Sequence, residues 1–150
     1  MSLTKIKKKG TNMAINFSNI RLEVVDINTN TTPDIYINQN SVTFSKRVLE
    51  DLAYPQYVQY CVDASNKIFA VRSCKGTETK ATAFAKPKTE QNGTMSIGNK
   101  NLRDVITAMI PKFDSKQRYK VTGEFDAENR VMYFDMATAV IANFFHKNAE

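Results

Sequence analysis

Six basic residues give this sequence its clearest candidate chemistry. Lysine and arginine side chains that share one face of a domain can neutralise the phosphates of a nucleic acid backbone. The candidate DNA-binding residues are Lys46, Arg47, Arg72, Lys75, Lys100 and Arg103. The alternative interpretation is that each is an ordinary solvated charge on the protein surface.

Residues for catalysis or metal binding are few. His146 is the only histidine, and with Cys61 and Cys74 it makes too small a ligand set for a structural zinc site. The five glycines are isolated, so the sequence contains neither a P-loop nor a dinucleotide-binding turn. Glu50 and Asp51 are adjacent and would diverge on a helix. We therefore predict a protein that is not an enzyme and that uses no cofactor and no metal.

The net charge of +6 is concentrated near the start of the sequence. Four lysines lie in the first ten residues, at positions 5, 7, 8 and 9, and removing them leaves only +2. We predict that residues 1–12 form a disordered basic arm, which either keeps the protein soluble or contacts phosphate. Residues 15–27 follow it and alternate apolar and polar side chains around Ile20, Leu22 and Val24, which predicts a strand with a bulge or a change of face.

Hydropathy and cysteine usage favour a cytoplasmic protein that has no contact with membranes. No stretch approaches the roughly 20 apolar residues of a membrane span, and no hydrophobic segment follows the first lysines as in a signal peptide. Cys61 is expected to face Ile68 in a hairpin, so its sulfur would not lie opposite that of Cys74. Two reduced cysteines are the expectation.

The stretch from Ile35 to Val71 predicts a strand, a second strand, a short helix and a hairpin. Apolar and polar residues alternate over residues 35–37 and 41–44, as in half-buried strands. Ser45 can cap the helix that follows, and Pro55 ends it. Two β-rich runs then flank Asp63–Asn66, a hairpin signal.

A similar order of elements follows in the second half. A short strand at 95–97 precedes a helix capped by Asn99 or Asn101 and ended by Pro111. A second hairpin turns at Asp126–Asn129, with Phe125 expected to face Arg130. A last helix is predicted through residues 137–146, and its apolar surface would contain these residues: Val140, Ile141, Phe144 and Phe145.

The two sets of elements indicate an internal repeat. The predicted helix starts, Ser45 and Asn99, are 54 residues apart, and the hairpin loops are 63 residues apart. Chance is the alternative, because this order of elements is common. We predict an α+β fold with two β-α-β-β halves, antiparallel sheet and a C-terminal helix. Residues 13–150 would form a single domain that can be divided into halves at 13–85 and 94–150.

Residues 41–52, which read Ser-Val-Thr-Phe-Ser-Lys-Arg-Val-Leu-Glu-Asp-Leu, together with Tyr57 to Arg72 resemble the strand, helix and hairpin of AbrB-like transcription regulators. The two copies resemble the tandem arrangement of the MraZ branch. This resemblance implies DNA binding through basic residues on a β-platform, usually in oligomers, with Lys46, Arg47 and Arg72 as the first to test. The family usually has proline in place of Ser45 and a Gly-Asp pair in place of Pro55-Gln56.

Residues 44–58 also resemble small uncharacterised proteins of bacteria and their prophages. Two functions from different classes follow from these observations. The first is a non-enzymatic DNA-binding regulator of bacterial or prophage origin. The second is a protein-interaction or assembly module that forms homo-oligomers through the C-terminal helix or through exposed strand edges. Convergence of the basic residues on one face would favour the first, and their dispersal would favour the second.

Overall fold

The computed structural model describes residues 15–25, 31–91 and 93–142 of the 150-residue chain. The chain divides into two compact units, Met1–Asn30 and Thr31–Glu150. In the first unit, a short 3-10 turn at Phe17–Asn19 begins at Asn16, whose side chain accepts a hydrogen bond from the Ser18 amide. The predicted strand does not form within residues 15–25. The predicted arm at 1–12 lies outside the described residues.

Antiparallel strands dominate the second unit. Its strands and helices are β1 (Asp34–Ile37), β2 (Val42–Phe44), α1 (Lys46–Asp51), β3 (Tyr57–Asp63), β4 (Ile68–Cys74), β5 (Thr82–Ala83), β6 (Met95–Ile97), α2 (Lys100–Thr107), β7 (Tyr119–Asp126), β8 (Val131–Asp135) and β9 (Val140–Ile141). The strands form one curled sheet in the order β5-β3-β4-β8-β7-β1-β2-β6, and β9 pairs with β7.

The inner face of this sheet forms the core. Alternate side chains of each strand point to it, as the period of two requires. Four aromatic rings follow one another across the inner face, with centroid distances of 6.4 Å from Phe44 to Tyr60, 6.1 Å from Tyr60 to Phe69 and 5.9 Å from Phe69 to Phe134. Both helices add apolar side chains to this core, among them Val48 and Ile106.

The predicted fold class is wrong. The structure is mostly antiparallel sheet, and α2, with 8 residues, is the only helix longer than six residues in the described part of the chain. Ala53 and Tyr54 adopt left-handed backbone conformations directly before Pro55, which ends α1 after 6 residues. The strands of the predicted halves are also interleaved, because β1 pairs with β7 and β2 pairs with β6.

The predicted C-terminal helix is also wrong. Asp135 accepts a hydrogen bond from the Ala137 amide, as a helix cap would, but only a 3-10 turn at Met136–Thr138 follows. Val140 and Ile141 then pair with Lys120 and Tyr119 as β9. Their β-branched side chains favour strand over helix, and an adjacent edge of β7 is available to pair with them. The rest of the predicted helix lies outside the described residues.

The two predicted hairpins both form, and their turns are equivalent. The Asp63 carboxylate accepts a hydrogen bond from the Asn66 side chain (2.8 Å), and the Asp126 carboxylate does the same from Asn129 (2.8 Å). Residues Lys67 and Arg130 both have positive φ, 59° and 57°. Each turn therefore has four residues, as predicted, but begins one position later, at residues 64–67 and 127–130.

Moving each turn by one position shifts both registers by two, because one strand gains a residue at its end and the other loses one at its start. Cys61 faces Ala70 rather than Ile68, and Phe125 faces Met132 rather than Arg130. A shift of two leaves each side chain on its predicted face, because the side-chain period of a strand is also two.

The β4–β8 ladder relates the two hairpins by a local two-fold axis. Ala70 faces Tyr133 at its centre, and these residues are separated by the same 63 positions as the two turns. Across the ladder, the Ser73 amide donates to the Arg130 carbonyl (3.1 Å), and the Met136 amide donates to the Lys67 carbonyl (2.8 Å). The two donors, Ser73 and Met136, are 63 positions apart, and so are the two acceptors, Lys67 and Arg130. The two-fold axis therefore relates one bond to the other.

Candidate interaction surface

Three of the six predicted DNA-binding residues form ion pairs on their own helices. Each pair joins positions i and i+4. The distances are 4.0 Å for Lys46–Glu50, 2.9 Å for Arg47–Asp51 and 2.6 Å for Lys100–Asp104. A carboxylate at this distance offsets the positive charge that a phosphate would otherwise meet.

Arg103 and Arg72 also bind neighbouring protein groups. Arg103 Nε donates to the Asn38 backbone carbonyl (2.8 Å), and its guanidinium lies 5.7 Å from the centre of the Phe113 ring. Arg72 Nε donates to Gln59 Oε1 (3.0 Å). Lys75 is exposed just after β4.

The six residues lie in three separate places. α1 begins after Phe44 and α2 begins shortly after Ile97, at opposite ends of the short antiparallel β2–β6 ladder. Lys46 and Arg47 therefore lie apart from Lys100 and Arg103. Arg72 and Lys75 belong to β4 and the loop after it, and three strands separate β4 from β2 in the sheet. The structure does not bring the six together on one face.

Sequence reasoning missed Arg118, which joins Arg103 at Asn38. Arg118 Nε donates to the Asn38 side-chain oxygen (2.7 Å), and its guanidinium lies 4.4 Å from the centre of the Tyr36 ring. Burial lowers the pKa of Arg118 from its ordinary value. Both arginines thus hold the turn between β1 and β2. No sequence signal indicates this pairing, since the two arginines contact a residue more than sixty positions away.

The outer face of the sheet is acidic around Tyr133. An open depression of about 430 Å³ is lined by Asp63, Ile68, Thr122, Glu124, Tyr133, Asp135 and Thr138. Three carboxylates repel phosphate rather than bind it. Within the described ranges, no group of three or more histidine, cysteine or carboxylate side chains is placed so that it could hold a metal ion. This face is therefore unsuited to a nucleic acid backbone.

Cys61 and Cys74 are free thiols, and both are half-buried. Desolvation, with a smaller contribution from Glu78, raises the pKa of the Cys74 thiol. The thiolate is the reactive form of cysteine, so this environment disfavours nucleophilic chemistry at Cys74.

The outer edge of β3 is covered along only part of its length. β5 pairs with Tyr57 and Val58, and no described strand pairs with the same edge from Gln59 to Asp63. An uncovered edge presents backbone donors and acceptors that can pair with another strand. Val62 is 49 % exposed at this end of β3. Sequence reasoning proposed strand edges as interaction sites but did not identify this one.

The described part of the first unit carries a run of exposed apolar side chains. Phe17 is 80 % exposed and Leu22 is 92 % exposed. The other large apolar residues of this segment are also exposed: Ile15, Ile20, Val24 and Val25. Such a concentration of exposed apolar residues marks interaction surfaces in soluble proteins. We call residues 20–25 the apolar segment.

Comparisons with known proteins identify no family. No protein-family model matches the chain, and no curated protein or solved structure matches it significantly. The resemblance to AbrB-like regulators therefore stays a prediction. Among the described residues, no helix has the length and apolar character needed to cross a membrane.

Proposed function

We propose that this protein is a non-enzymatic assembly module that associates with further copies of itself through the apolar segment. The exposure of the large apolar side chains in residues 15–25 is the observation that carries this proposal. The proposal keeps the assembly interpretation of the sequence and replaces the C-terminal helix with an N-terminal segment as the contact.

The apolar segment has the composition of a strand that needs a partner. Ile20, Leu22 and Val24 alternate with the polar residues Arg21 and Glu23. Burial of one such apolar side chain contributes about 1.5–3 kcal/mol, and ordering the backbone of one residue costs about 1–2 kcal/mol. Three apolar side chains on one face, together with backbone hydrogen bonds, can therefore offset the cost of ordering a short strand.

Sedimentation velocity across a concentration series tests this proposal. We expect the wild-type chain to associate, and we expect Leu22→Ser/Val24→Ser to weaken association at least tenfold. The matched control, Arg21→Ser/Glu23→Ser, changes the intervening polar residues and should associate like the wild type. A wild-type chain that stays monomeric to about 1 mM, which corresponds to a binding free energy weaker than about −4 kcal/mol, overturns the proposal.

DNA binding stays a prediction from the sequence. Fluorescence anisotropy with duplex DNA, in a salt series and with or without residues 1–12, is its test. Binding that survives removal of residues 1–12 and weakens steeply with salt would support a phosphate-contacting surface on the rest of the chain. Binding that disappears with those residues would assign DNA binding to the basic arm.

A cytoplasmic location is proposed for the assembly, because Cys61 and Cys74 are free thiols.

A further inference from the structure

We infer that the apolar segment of one copy pairs with the outer edge of β3, from Gln59 to Asp63, in a second copy. This inference rests on the proposed self-assembly and names the surface that receives the segment. Three observations carry it: the direction of the backbone groups along β3, the match between two alternating side-chain patterns, and the contrast with the equivalent edge of β7.

The free backbone groups of β3 can be assigned from the alternation of strand hydrogen bonds. The Ser73 amide donates to the Arg130 carbonyl (3.1 Å), so the odd-numbered residues of β4 point to β8 and the even-numbered ones point to β3. The even-numbered residues of β4 face the odd-numbered residues of β3, so the residues between these point to the β5 side. Every second residue along an antiparallel strand points the same way. Tyr60 and Val62 therefore direct their N–H and C=O groups to the side where β5 has ended, and the described strands supply no partner there.

The side chains of the two strands match when both place apolar residues on the inner face. Val58 is buried in the core, and Val62 lies on the same face of β3 but is half exposed. A strand added beside β3 places Ile20, Leu22 and Val24 next to this row. Arg21 and Glu23 then lie on the outer face, beside Cys61 and its polar neighbours.

The equivalent edge of β7 is covered within the chain as far as Gly123, which corresponds to Tyr60 of β3. β1 pairs with Tyr119–Thr122, and the Gly123 amide donates to the Pro33 carbonyl (2.7 Å). Among the described elements, the corresponding side of β3 has only the two paired residues of β5. A second copy supplies a six-residue segment for the five-residue uncovered edge.

Each copy then has one donor segment and one acceptor edge. The contact is heterologous, because the surfaces that meet are different. Such contacts form closed rings when the rotation between copies closes, and growing chains when it does not. Substitutions in either the donor segment or the acceptor edge are therefore expected to raise the dissociation constant of the assembly.

Disulfide trapping between two differently mutated chains tests the pairing. One chain carries Glu23→Cys with Cys61→Ser and Cys74→Ser, and the other keeps native Cys61 with Cys74→Ser. After mixing and mild oxidation, we expect a covalent heterodimer. Arg21→Cys and Val25→Cys, in the same background, allow for a different register. The matched control, Leu22→Cys, points to the opposite face and should cross-link much less.

Proline substitution tests the backbone pairing directly. Val62→Pro removes an N–H group that points away from β4, so the hairpin should stay folded while association weakens at least tenfold. Val62→Thr keeps the N–H group and should associate like the wild type. Circular dichroism of the diluted protein establishes whether Val62→Pro is folded, and the trapping experiment decides the matter if it is not.

The outcomes separate this inference from the proposed function. If Leu22→Ser/Val24→Ser abolishes association, while no trapping to Cys61 occurs and a folded Val62→Pro chain assembles normally, the acceptor edge is wrong and the assembly function stands. If the wild-type chain is monomeric, both fail. Cross-linking from both Glu23→Cys and Leu22→Cys at equal rates would also overturn the strand pairing.

Discussion

The β3–β4 and β7–β8 hairpins have the same turn but different outer edges. In both turns, the aspartate carboxylate accepts a hydrogen bond from an asparagine side chain in the same geometry, and the two hairpins pair with each other through the β4–β8 ladder. β1 covers β7 over four residue pairs, whereas β5 covers β3 over two. Two local sequences of the same kind thus produce one edge that is covered within the chain as far as Gly123 and one that is open from Gln59, the equivalent of Thr122, onward.

The cause of this difference lies in the covering strands. β1 is held on β7 by Asp34, whose buried carboxylate accepts from Thr122 Oγ (2.6 Å) and from Thr32 Oγ (2.8 Å). β5 lies between a polar run, residues 75–80, and the polar connection at 86–93. Lys80, on the side from which β5 would have to extend toward Gln59, has a positive φ of 55°, and this left-handed conformation interrupts the extended backbone.

The two hairpins also differ at one inner position. Tyr60 in β3 corresponds to Gly123 in β7, again 63 residues later. The Tyr60 ring fills the space between Phe44 and Phe69, whereas a Cβ at Gly123 would meet a Phe134 ring carbon at 2.6 Å. The β3–β4 hairpin therefore contributes a large side chain to the core at the position where the β7–β8 hairpin has a glycine, which lets the Phe134 ring approach the backbone closely.

The largest expected effect comes from removing that ring. Tyr60→Ala should lower the free energy of unfolding by about 3 kcal/mol, because it leaves a cavity beside the Phe44, Phe69 and Phe84 rings. Urea unfolding followed by circular dichroism measures this loss. Gly123→Ala should also destabilise the protein, since it adds atoms at a position that is already filled. An unfolding free energy unchanged in Tyr60→Ala would contradict the packing described for β3.

A smaller loss is expected at the strand that covers β7. Asp34→Ala removes the acceptor of two threonine hydroxyl groups and should cost about 1–3 kcal/mol. Hydrogen exchange should then increase in β1 and in the first half of β7, with less change in β3. A uniform increase across both hairpins would show that Asp34 does not hold β1 specifically.

Removal of the Tyr60 hydroxyl group is expected to leave the stability of the protein unchanged or to raise it. It is buried without a hydrogen-bond partner among the described residues, and burial raises the pKa of Tyr60. Tyr60→Phe removes the unsatisfied hydroxyl and keeps the ring, so we expect stability to be unchanged or higher by up to about 1 kcal/mol. Thermal unfolding measures the shift. A clear loss of stability would indicate that the hydroxyl group has a partner.

The smallest effect concerns the two turns. Hydrogen bonds from the Asn66 and Asn129 side chains, followed by backbone bonds, lower the pKa of Asp63 and of Asp126. A lowered folded-state pKa stabilises the protein above the ordinary value near 4, and this contribution disappears as the pH falls through the folded-state pKa.

The unfolding free energy should therefore decrease below about pH 4. Asp63→Asn and Asp126→Asn should each weaken this dependence, and Asp63→Asn should have the larger effect, because Asp63 also accepts a hydrogen bond from Ser65 Oγ (3.1 Å). Urea titrations between neutral and acidic pH make the comparison. An unchanged pH dependence in either variant would show that the aspartate of that turn does not stabilise the fold.

Local features of this fold could be predicted from sequence, and non-local pairings could not. The hairpins, the proline ending α1 and the Asn99 cap of α2 follow from short-range chemistry, and the Asn99 side chain does accept from the Leu102 amide (2.9 Å). Ser45 sits at the start of α1, but its hydroxyl instead accepts from the Asp34 amide (3.0 Å). Asp34 belongs to β1, and no residue near Ser45 in the sequence predicts this hydrogen bond.

The candidate surface was predictable to the same extent. The alternation of Ile20, Leu22 and Val24 is visible in the sequence, but whether those residues pair within the chain is not. Which edge of the sheet is open depends on where β1 and β5 pair, and both partners are distant in sequence. The dispersal of the basic residues likewise depends on the β2–β6 ladder.

The pairing of β1 with β7 has a consequence for folding on the ribosome. Asp34 meets Thr122, 88 residues later, so the first strand emerges long before its partner is synthesised. Until β7 and β8 appear, β1 and β4 both present unpaired edges in a crowded environment. High contact order also slows the closure of such a sheet. Nascent chains of this protein are therefore expected to carry unpaired strand edges until β7 and β8 have emerged.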